Sequence, residues 1–404
     1  MKLLQINCVY KKGSTGKLSY DIHKGVLNSS NESVICYGRG EKTKDEKVIK
    51  TCGELYSKFN NLLSRFTGLM YGGCYFSTKK LINTIKKEKP DIVHLHCING
   101  YFVNIYKLVE FLKKSGIKTV LTLHAEFMHT ANCGHAFECN NWKTGCGNCP
   151  RLREETKSLF LDNTALSFKK MKKAFEGFEN LKVVSVSPWL KERAEVSPIL
   201  KGKNHLIVLN GVDTSVFYNR ENSSVKRELG IENKKVIFHA TAWFSTQKNH
   251  IKGGYYVVQM AKRFLQKDSD VVFLVAGESE PFGELPSNVI FLGNVSDQNK
   301  LAEYYSAADL TLLTSKKETF SMVVAESLCS GTPVVGFEAG APERITIDDF
   351  SSFVPYGDED RLFDEINYWL NRSNINKSAI SSAAKLKYGK EIMINEYKKI
   401  YENF

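Results

Sequence analysis

Short apolar runs rich in β-branched residues alternate along this chain with segments whose apolar positions recur every three to four residues. In the first half the runs are KLLQINC, SVICYG, DIVHLHC, KTVLTLH, LKVVSVS and HLIVLN. They are almost continuously apolar, as strands are when helices cover both faces of a parallel sheet. Helical spacing appears in STKKLINTIKKEK and in NIYKLVEFLKKSG, the second closed by Gly116 as a C-cap. A second series follows Tyr218, with strands KVIFHAT, VVFLVAG, NVIFLG, DLTLLTS and PVVGF and helices GYYVVQMAKRFLQK, NKLAEYYSAA and SMVVAESLCSG. The alternation predicts an α/β protein of two doubly wound, Rossmann-like parallel-sheet domains. No repeat relates the two series, so they read as two similar folds rather than a duplication. The polar stretch Asn210–Phe217 sets the boundary, giving 1–216 as the N-terminal domain and 217–385 as the C-terminal one. The tail KYGKEIMINEYKKIYENF reads as a basic amphipathic helix.

Length agrees with this division, because 404 residues exceed what one hydrophobic core usually organises. A hydrophobic content of 42% with 25% charged residues excludes disordered and collagen-like classes. The net charge of +12 changes the picture more. It suits an anionic partner, such as a nucleotide diphosphate, an anionic membrane surface or nucleic acid, or else a basic but uninvolved surface. No recognised RNA- or DNA-binding module accompanies it. No apolar run reaches the roughly 20 residues that span a bilayer, and MKLLQINCVY reads as a first buried strand rather than a signal peptide. Cys8, Cys36, Cys52, Cys74, Cys97 and Cys329 fall in strand-like or apolar segments, as reduced, buried thiols do. The expectation is a cytoplasmic protein, peripheral at most to the inner face of a membrane.

The segment most informative about chemistry is TSKKETFSMVVAESLCSGTPVV. It reads as a strand end, a loop, a helix starting near Ser321, a stop at Gly331 and another buried strand. Glu318 on the loop can accept hydrogen bonds from sugar hydroxyls, and Glu326 on the helix can grip a ribose diol. Between them, the N–H groups of Thr319, Phe320, Ser321 and Met322 at the helix start can bind a diphosphate. Two glutamates alone would read as solvated positions on an ordinary amphipathic helix; the whole segment does not.

That segment resembles the Glu-x7-Glu signature of family 4 retaining glycosyltransferases, in particular those of bacterial exopolysaccharide and lipopolysaccharide biosynthesis. Here the signature stands as Glu318-Thr319-Phe320-Ser321, then Glu326-Ser327, then Gly331-Thr332-Pro333-Val334-Val335, with Thr and Ser where the family usually has Gly. The resemblance implies the GT-B architecture: two Rossmann-like domains facing across a cleft, with the C-terminal helix (386–404) returning to the N-terminal domain. It implies a nucleotide-sugar donor, with UDP favoured over GDP, and a glycan or polyprenyl-diphosphate-linked acceptor. It implies transfer with retention and without a catalytic metal or other cofactor. Further landmarks follow in order. GSTGKLSYDIH after the first strand contains Gly16, which lets backbone approach a phosphate or acceptor, although its spacing fails the P-loop pattern. His124 ends KTVLTLH, where a lone histidine is commonly structural but the family places a donor-cleft residue. Lys252 in KGG matches the lysine that neutralises the donor diphosphate. Gly277 resembles a turn near the nucleotide, and the strand-end loop Gly293–Val295 resembles one that touches the base. The departure is an arginine that many relatives carry before the KG pair. ATAWFSTQKNHIKGG has none, and Lys248 is the nearest substitute, a point charge rather than a bidentate fork.

Cys133, Cys139, Cys146 and Cys149 form C-x5-C-x6-C-x2-C after His124. Three readings stay open: a closed structural zinc site, reduced structural thiols, or disulfides. A closed four-thiolate site would leave no position for catalysis. Asp348–Asp349 reads as a surface turn rather than a metal-holding pair at a strand end. Two rival functions keep the architecture: a non-catalytic sugar-nucleotide-binding subunit, favoured by the missing arginine and opposed by Glu318 with Glu326, and a sugar-nucleotide epimerase or glycan phosphorylase.

Overall fold

The first apolar run becomes β1 (Lys2–Val9), whose central residues Leu3–Asn7 are all buried. The computed structural model describes residues 1–220, 224–267 and 270–404. Contacts divide the chain into one unit of Met1–Leu209 with Met393–Phe404 and a second of Asn210–Ile392.

In the first unit β1 is joined by β2 (Glu32–Arg39), β3 (Val48–Lys50), β4 (Ile92–Leu95), β5 (Lys118–Leu123), β6 (Leu181–Ser185) and β7 (Asn204–Ile207). The order is β3-β2-β1-β4-β5-β6-β7, every pairing parallel. Leu4 lies opposite Val34 on one side and Val93 on the other. The direction of winding therefore reverses between β1 and β4, and in such sheets ligands bind beyond the carboxyl ends of the strands at the reversal. The expected helices are present, including Ile105–Ser115 with Gly116 as a left-handed C-cap.

In the second unit β8 (Lys235–Phe244), β9 (Val271–Ser279), β10 (Val289–Gly293), β11 (Leu310–Leu313), β12 (Val334–Phe337) and β13 (Ser351–Val354) form a sheet ordered β10-β9-β8-β11-β12-β13. Its reversal lies between β8 and β11. The helix Gly254–Gln266 buries Val257, Met260, Ala261 and Phe264 against Ile237, Phe273 and Val275 of the sheet. Asp348–Phe350 forms a short 3-10 turn between elements, in keeping with a turn there.

Three features differ from the sequence expectation. The tail is not one helix. Gly389 separates Lys377–Tyr388 from Lys390–Glu402, because Val212 N–H bonds the Tyr388 carbonyl at 2.7 Å and Lys390 N–H bonds the Val212 carbonyl at 2.9 Å. That pairing ties 210–213 and 389–390 to the second unit, so the units change at Leu209 and Ile392 rather than at 216 and 385. Beyond Ile392 the last helix packs Met393, Tyr397, Ile400 and Tyr401 into the first unit's core with Leu3, Leu18 and Val120. Its apolar face is thereby covered. Gly277 lies within β9 rather than in a turn, since the β8–β9 pairing runs on to Phe244 opposite Ser279. A Cβ at Gly277 would stand 2.6 Å from the Thr241 carbonyl oxygen, so the glycine serves close strand approach. The short strands β3 and β13 had no sequence counterpart.

Candidate active site

The second sheet's reversal point carries the strongest chemistry. The chain leaving β8 runs to Lys252, and the chain leaving β11 runs to Glu318. The Lys252 Nζ stands 2.6 Å from Glu318 Oε1, both side chains half-buried. Backbone fixes each partner. Lys316 N–H bonds the Ile251 carbonyl at 2.8 Å, and the Thr314 hydroxyl donates to the Lys252 carbonyl at 3.2 Å. Gly253 has φ +68°, and a Cβ there would lie 2.0 Å from the Thr314 carbonyl oxygen, so only glycine lets the two loops meet. Glu318 N–H bonds the Ala339 carbonyl at 3.0 Å, while Glu343 accepts the N–H groups of Ala339 and Gly340 at 3.0 and 2.8 Å.

After Glu318, Thr319, Phe320 and Ser321 are buried and the helix Met322–Cys329 begins. Ser321 is its N-cap at φ +90°, a conformation rare for a side-chain-bearing residue. The first-turn N–H groups have no intrahelical acceptor, and the Ser321 hydroxyl takes the Val324 N–H, as capped helix starts suited to anions do. Glu326 lies one turn in, next to the Tyr305 hydroxyl. Burial first, and the Glu326 carboxylate second, hold that phenol protonated. Lys248 is exposed, with Nζ 5.7 Å from the Tyr255 ring centroid, a stacking role that leaves Lys252 as the Glu318 partner. Val295 follows β10 in a loop where Asn294 Nδ2 donates to Glu278 Oε1 at 2.9 Å.

In the first unit, Gly16 sits in the first turn of the helix Gly13–Leu27, where a Cβ would lie 3.2 Å from Lys11 N. His124 follows β5 and belongs to a relay that the sequence did not disclose. Gln5 Nε2 donates to the Ser19 carbonyl at 3.1 Å, which turns Gln5 Oε1 toward His96 Nε2 at 3.0 Å. The carbonyl can only accept, so His96 carries its proton on Nε2 and accepts on Nδ1. His124 Nε2 lies 3.3 Å from that Nδ1 and must supply the proton. His124 therefore presents an unprotonated Nδ1. Burial holds it neutral, with its pKa down at about 4, and holds His96 well below the usual range. Beside them His94 bonds Tyr401 and Thr122, each at 2.7 Å.

These histidines fix a pH dependence. A group whose folded pKa is lowered binds fewer protons when folded than when unfolded, so folding stability falls as pH drops below the unfolded value of about 6.5. Urea midpoints are expected to decrease from pH 7 to pH 4.5 and to flatten above pH 7. A midpoint constant across that range would contradict neutral burial of the histidine group.

A second ionic centre was also invisible in the sequence. Glu126, fully buried, meets Arg193 Nε at 2.5 Å and accepts Ala136 N–H at 2.7 Å, with His129 at 3.4 Å. Burial alone would raise its carboxyl pKa; the His129, Arg193 and Ala136 contacts outweigh burial and bring it to about 2. Arg193 lies between the Trp142 and Trp189 rings, 4.8 Å from each centroid. This centre anchors the cysteine loop, where Cys133, Cys139, Cys146 and Cys149 line one small pocket with Trp142. None of the four is in a disulfide. Among the described residues no three His, Cys, Asp or Glu side chains stand as a closed metal-holding set.

Comparison with known proteins places this geometry. The chain is 22% identical to the "Putative colanic acid biosynthesis glycosyl transferase WcaC" of Escherichia coli K12 over 85% of each chain. It is 24% identical to the "N-acetyl-alpha-D-glucosaminyl L-malate synthase" of Bacillus anthracis over 80% of this chain and 77% of the relative. Residues 234–372, which contain Lys252, Glu318 and Glu326, match the family described as Glycosyl transferases group 1. The chain is a glycosyltransferase. The fold of this glycosyltransferase is the two-domain α/β GT-B fold of its solved neighbours. Anabaena Alr3699/HepE, solved in complex with UDP and glucose, superposes with a TM-score of 0.65 at 17% identity over 100% of both chains. Among the described residues no helix is long and apolar enough to cross a membrane.

Proposed function

We propose that this glycosyltransferase moves a sugar from a nucleotide diphosphate sugar, UDP-linked by preference, to a glycan or lipid-linked oligosaccharide in surface polysaccharide biosynthesis, with retention of anomeric configuration. The observation that carries the proposal is the Lys252–Glu318 pair beside the N-terminus of Met322–Cys329, at the sheet's reversal point. Lys252 and the N–H groups at Thr319–Met322 stabilise the departing diphosphate, Glu318 orients the donor sugar and Glu326 holds the ribose. The acceptor hydroxyl enters on the face the phosphate leaves. Its oxygen bonds to the anomeric carbon, the bond from that carbon to the phosphate oxygen breaks, and the hydroxyl proton passes to that leaving oxygen. The ammonium and the helix terminus supply the positive potential that a divalent ion supplies in other sites, so no catalytic metal is needed. The UDP complexes of HepE and the name of the WcaC relative support the donor class and the biosynthetic setting.

The test is donor hydrolysis by the purified chain across UDP- and GDP-sugars with EDTA present. Slow nucleotide release from one donor is expected, unaffected by the chelator. Nucleotide binding without turnover, even with acceptors, would make the chain a non-catalytic binding subunit instead. For the cysteine loop we propose a structural role, with zinc as the ion it would take were its thiolates to close. Elemental analysis giving one zinc per chain, lost in Cys146→Ser, would support the ion; a zinc-free, fully folded chain would leave reduced thiols.

A further inference from the structure

The helix Glu54–Thr67 is built inside out. Its sequence, ELYSKFNNLLSRFT, places Leu55, Phe59, Leu62, Leu63 and Phe66 on one stripe, and a surface helix ordinarily turns such a stripe to the core. Here that stripe faces outward, with Leu55 83% exposed and Phe59 55% exposed. The buried positions are Ser57, Asn60 and Ser64. Polar groups hold that inner face: the Ser57 hydroxyl donates to the Gly100 carbonyl at 3.1 Å, and Asn60 Oδ1 accepts Cys74 N–H at 2.7 Å. A Cβ on Gly73 would lie 2.5 Å from Asn60 Oδ1, so the fit is close and the helix cannot roll its apolar stripe inward without losing it.

Neighbouring elements extend the outward stripe. Phe76, 71% exposed at the start of the helix Tyr75–Glu88, packs on Tyr56 with ring centroids 6.0 Å apart. Phe160, 74% exposed, stacks on Phe66 at 6.2 Å. The loop bearing Phe160 is pinned there, since Leu159 N–H bonds the Arg65 carbonyl at 2.8 Å and Asn163 Nδ2 donates to the Thr67 carbonyl at 2.7 Å.

Charge around this surface is mostly positive, and Asp162 in the Phe160 loop is occupied by the Cys149 N–H at 2.6 Å and the Thr164 hydroxyl at 2.6 Å. Lys58 and Arg65 rise from the same helix, Lys79 follows Phe76, and Lys157 flanks the Phe160 loop, all exposed. Lys107 Nζ stands 5.0 Å from the Tyr75 ring centroid. The single acid of the helix, Glu54, is already occupied by Arg39 at 3.0 Å and by the Gly40 N–H at 2.7 Å. We propose that this face docks on an anionic lipid surface, its Leu and Phe side chains entering the headgroup–acyl boundary while Lys and Arg meet lipid phosphates. A second copy of the chain fits poorly, because two-fold pairing of this face would set its basic rim against itself. The inference deepens the lipid-linked acceptor reading above, but it stands on surface chemistry and not on turnover.

The experiment is co-sedimentation of the full chain with phosphatidylcholine vesicles, with and without phosphatidylglycerol. Binding is expected only with the anionic lipid, weakening as salt rises. The double variant Leu55→Ser/Phe59→Ser should lose about tenfold or more in vesicle affinity, and Lys58→Ser/Arg65→Ser should lose the preference for phosphatidylglycerol. Both should keep the wild-type melting temperature and donor hydrolysis, since the altered side chains are exposed and lie in the other unit from Lys252 and Glu318. No sedimentation with anionic vesicles, equal binding by the Leu55→Ser/Phe59→Ser variant, or a concentration-dependent dimer that this variant abolishes would each overturn the proposal. Absent donor hydrolysis alongside intact vesicle binding would count against the transfer reaction alone.

Discussion

Lys252→Ala is expected to lower the rate of donor cleavage by about 10²–10³-fold, the usual cost of removing one group that stabilises developing charge, and to weaken UDP binding. The melting temperature should move only modestly, because a half-buried ion pair still open to solvent contributes on the order of 1 kcal/mol. The geometry adds a sharper expectation for its partner. With Lys252 Nζ 2.6 Å from Glu318, the lysine's charge is already engaged before a diphosphate arrives. Glu318→Ala frees that charge, so it should bind UDP at least as tightly as the parent enzyme while losing turnover of the sugar nucleotide. The two variants thus separate by the sign of their effect on UDP affinity. Isothermal titration with UDP, set beside single-turnover cleavage of the sugar nucleotide, reads both quantities. Weaker UDP binding in Glu318→Ala, or an unfolded Lys252→Ala protein, would remove Lys252 from the diphosphate site. Combined, the two substitutions should cost less than the product of their separate rate losses, because each breaks the same unit.

The pairing of Lys252 with Glu318 was legible as two separate landmarks but not as a contact. Each follows a strand that sequence periodicity locates well, β8 and β11, because fully buried parallel strands leave long apolar runs. That β8 and β11 are neighbours is a property of strand order, which periodicity does not encode. The same limit hid the relay through Gln5, His96 and His124: its members lie on β1, after β4 and after β5, and read singly as polar interruptions of apolar runs. Gly389 misled for a different reason. A glycine inside an amphipathic pattern costs a helix only about 1 kcal/mol, and the break there is imposed by backbone bonds from Val212, far away in sequence. The helix Glu54–Thr67 inverts the usual inference altogether. Its periodicity is helical, but the rule that apolar stripes face the core would have turned it the wrong way round.

The largest expected loss of stability belongs to Glu126, a residue whose importance only the fold reveals. Glu126→Ala leaves the Arg193 guanidinium facing a buried hole, with Ala136 N–H stripped of its acceptor. Breaking one half of a buried pair costs about 3–5 kcal/mol, a large part of the 5–15 kcal/mol that holds a typical domain folded. Glu126→Gln should cost less, since its one amide oxygen can still accept from either Arg193 or Ala136. Because that carboxyl titrates near 2, its pairing persists through the pH range in which the histidines lose their neutral burial. The parent and Glu126→Ala should both decline between pH 7 and 4.5, the variant more steeply because buried His129 loses the carboxylate that favours its protonation, and a gap that closes toward pH 4.5 would mean that Glu126 takes up a proton in the folded chain. Replacing both partners, Glu126→Leu with Arg193→Met, should recover much of the loss, because apolar side chains of similar size fill the site without an unpaired charge. Chemical unfolding of the four proteins supplies the comparison. A double variant no more stable than Glu126→Ala would assign the loss to the Ala136 N–H and the loop it anchors, and not to the stranded guanidinium.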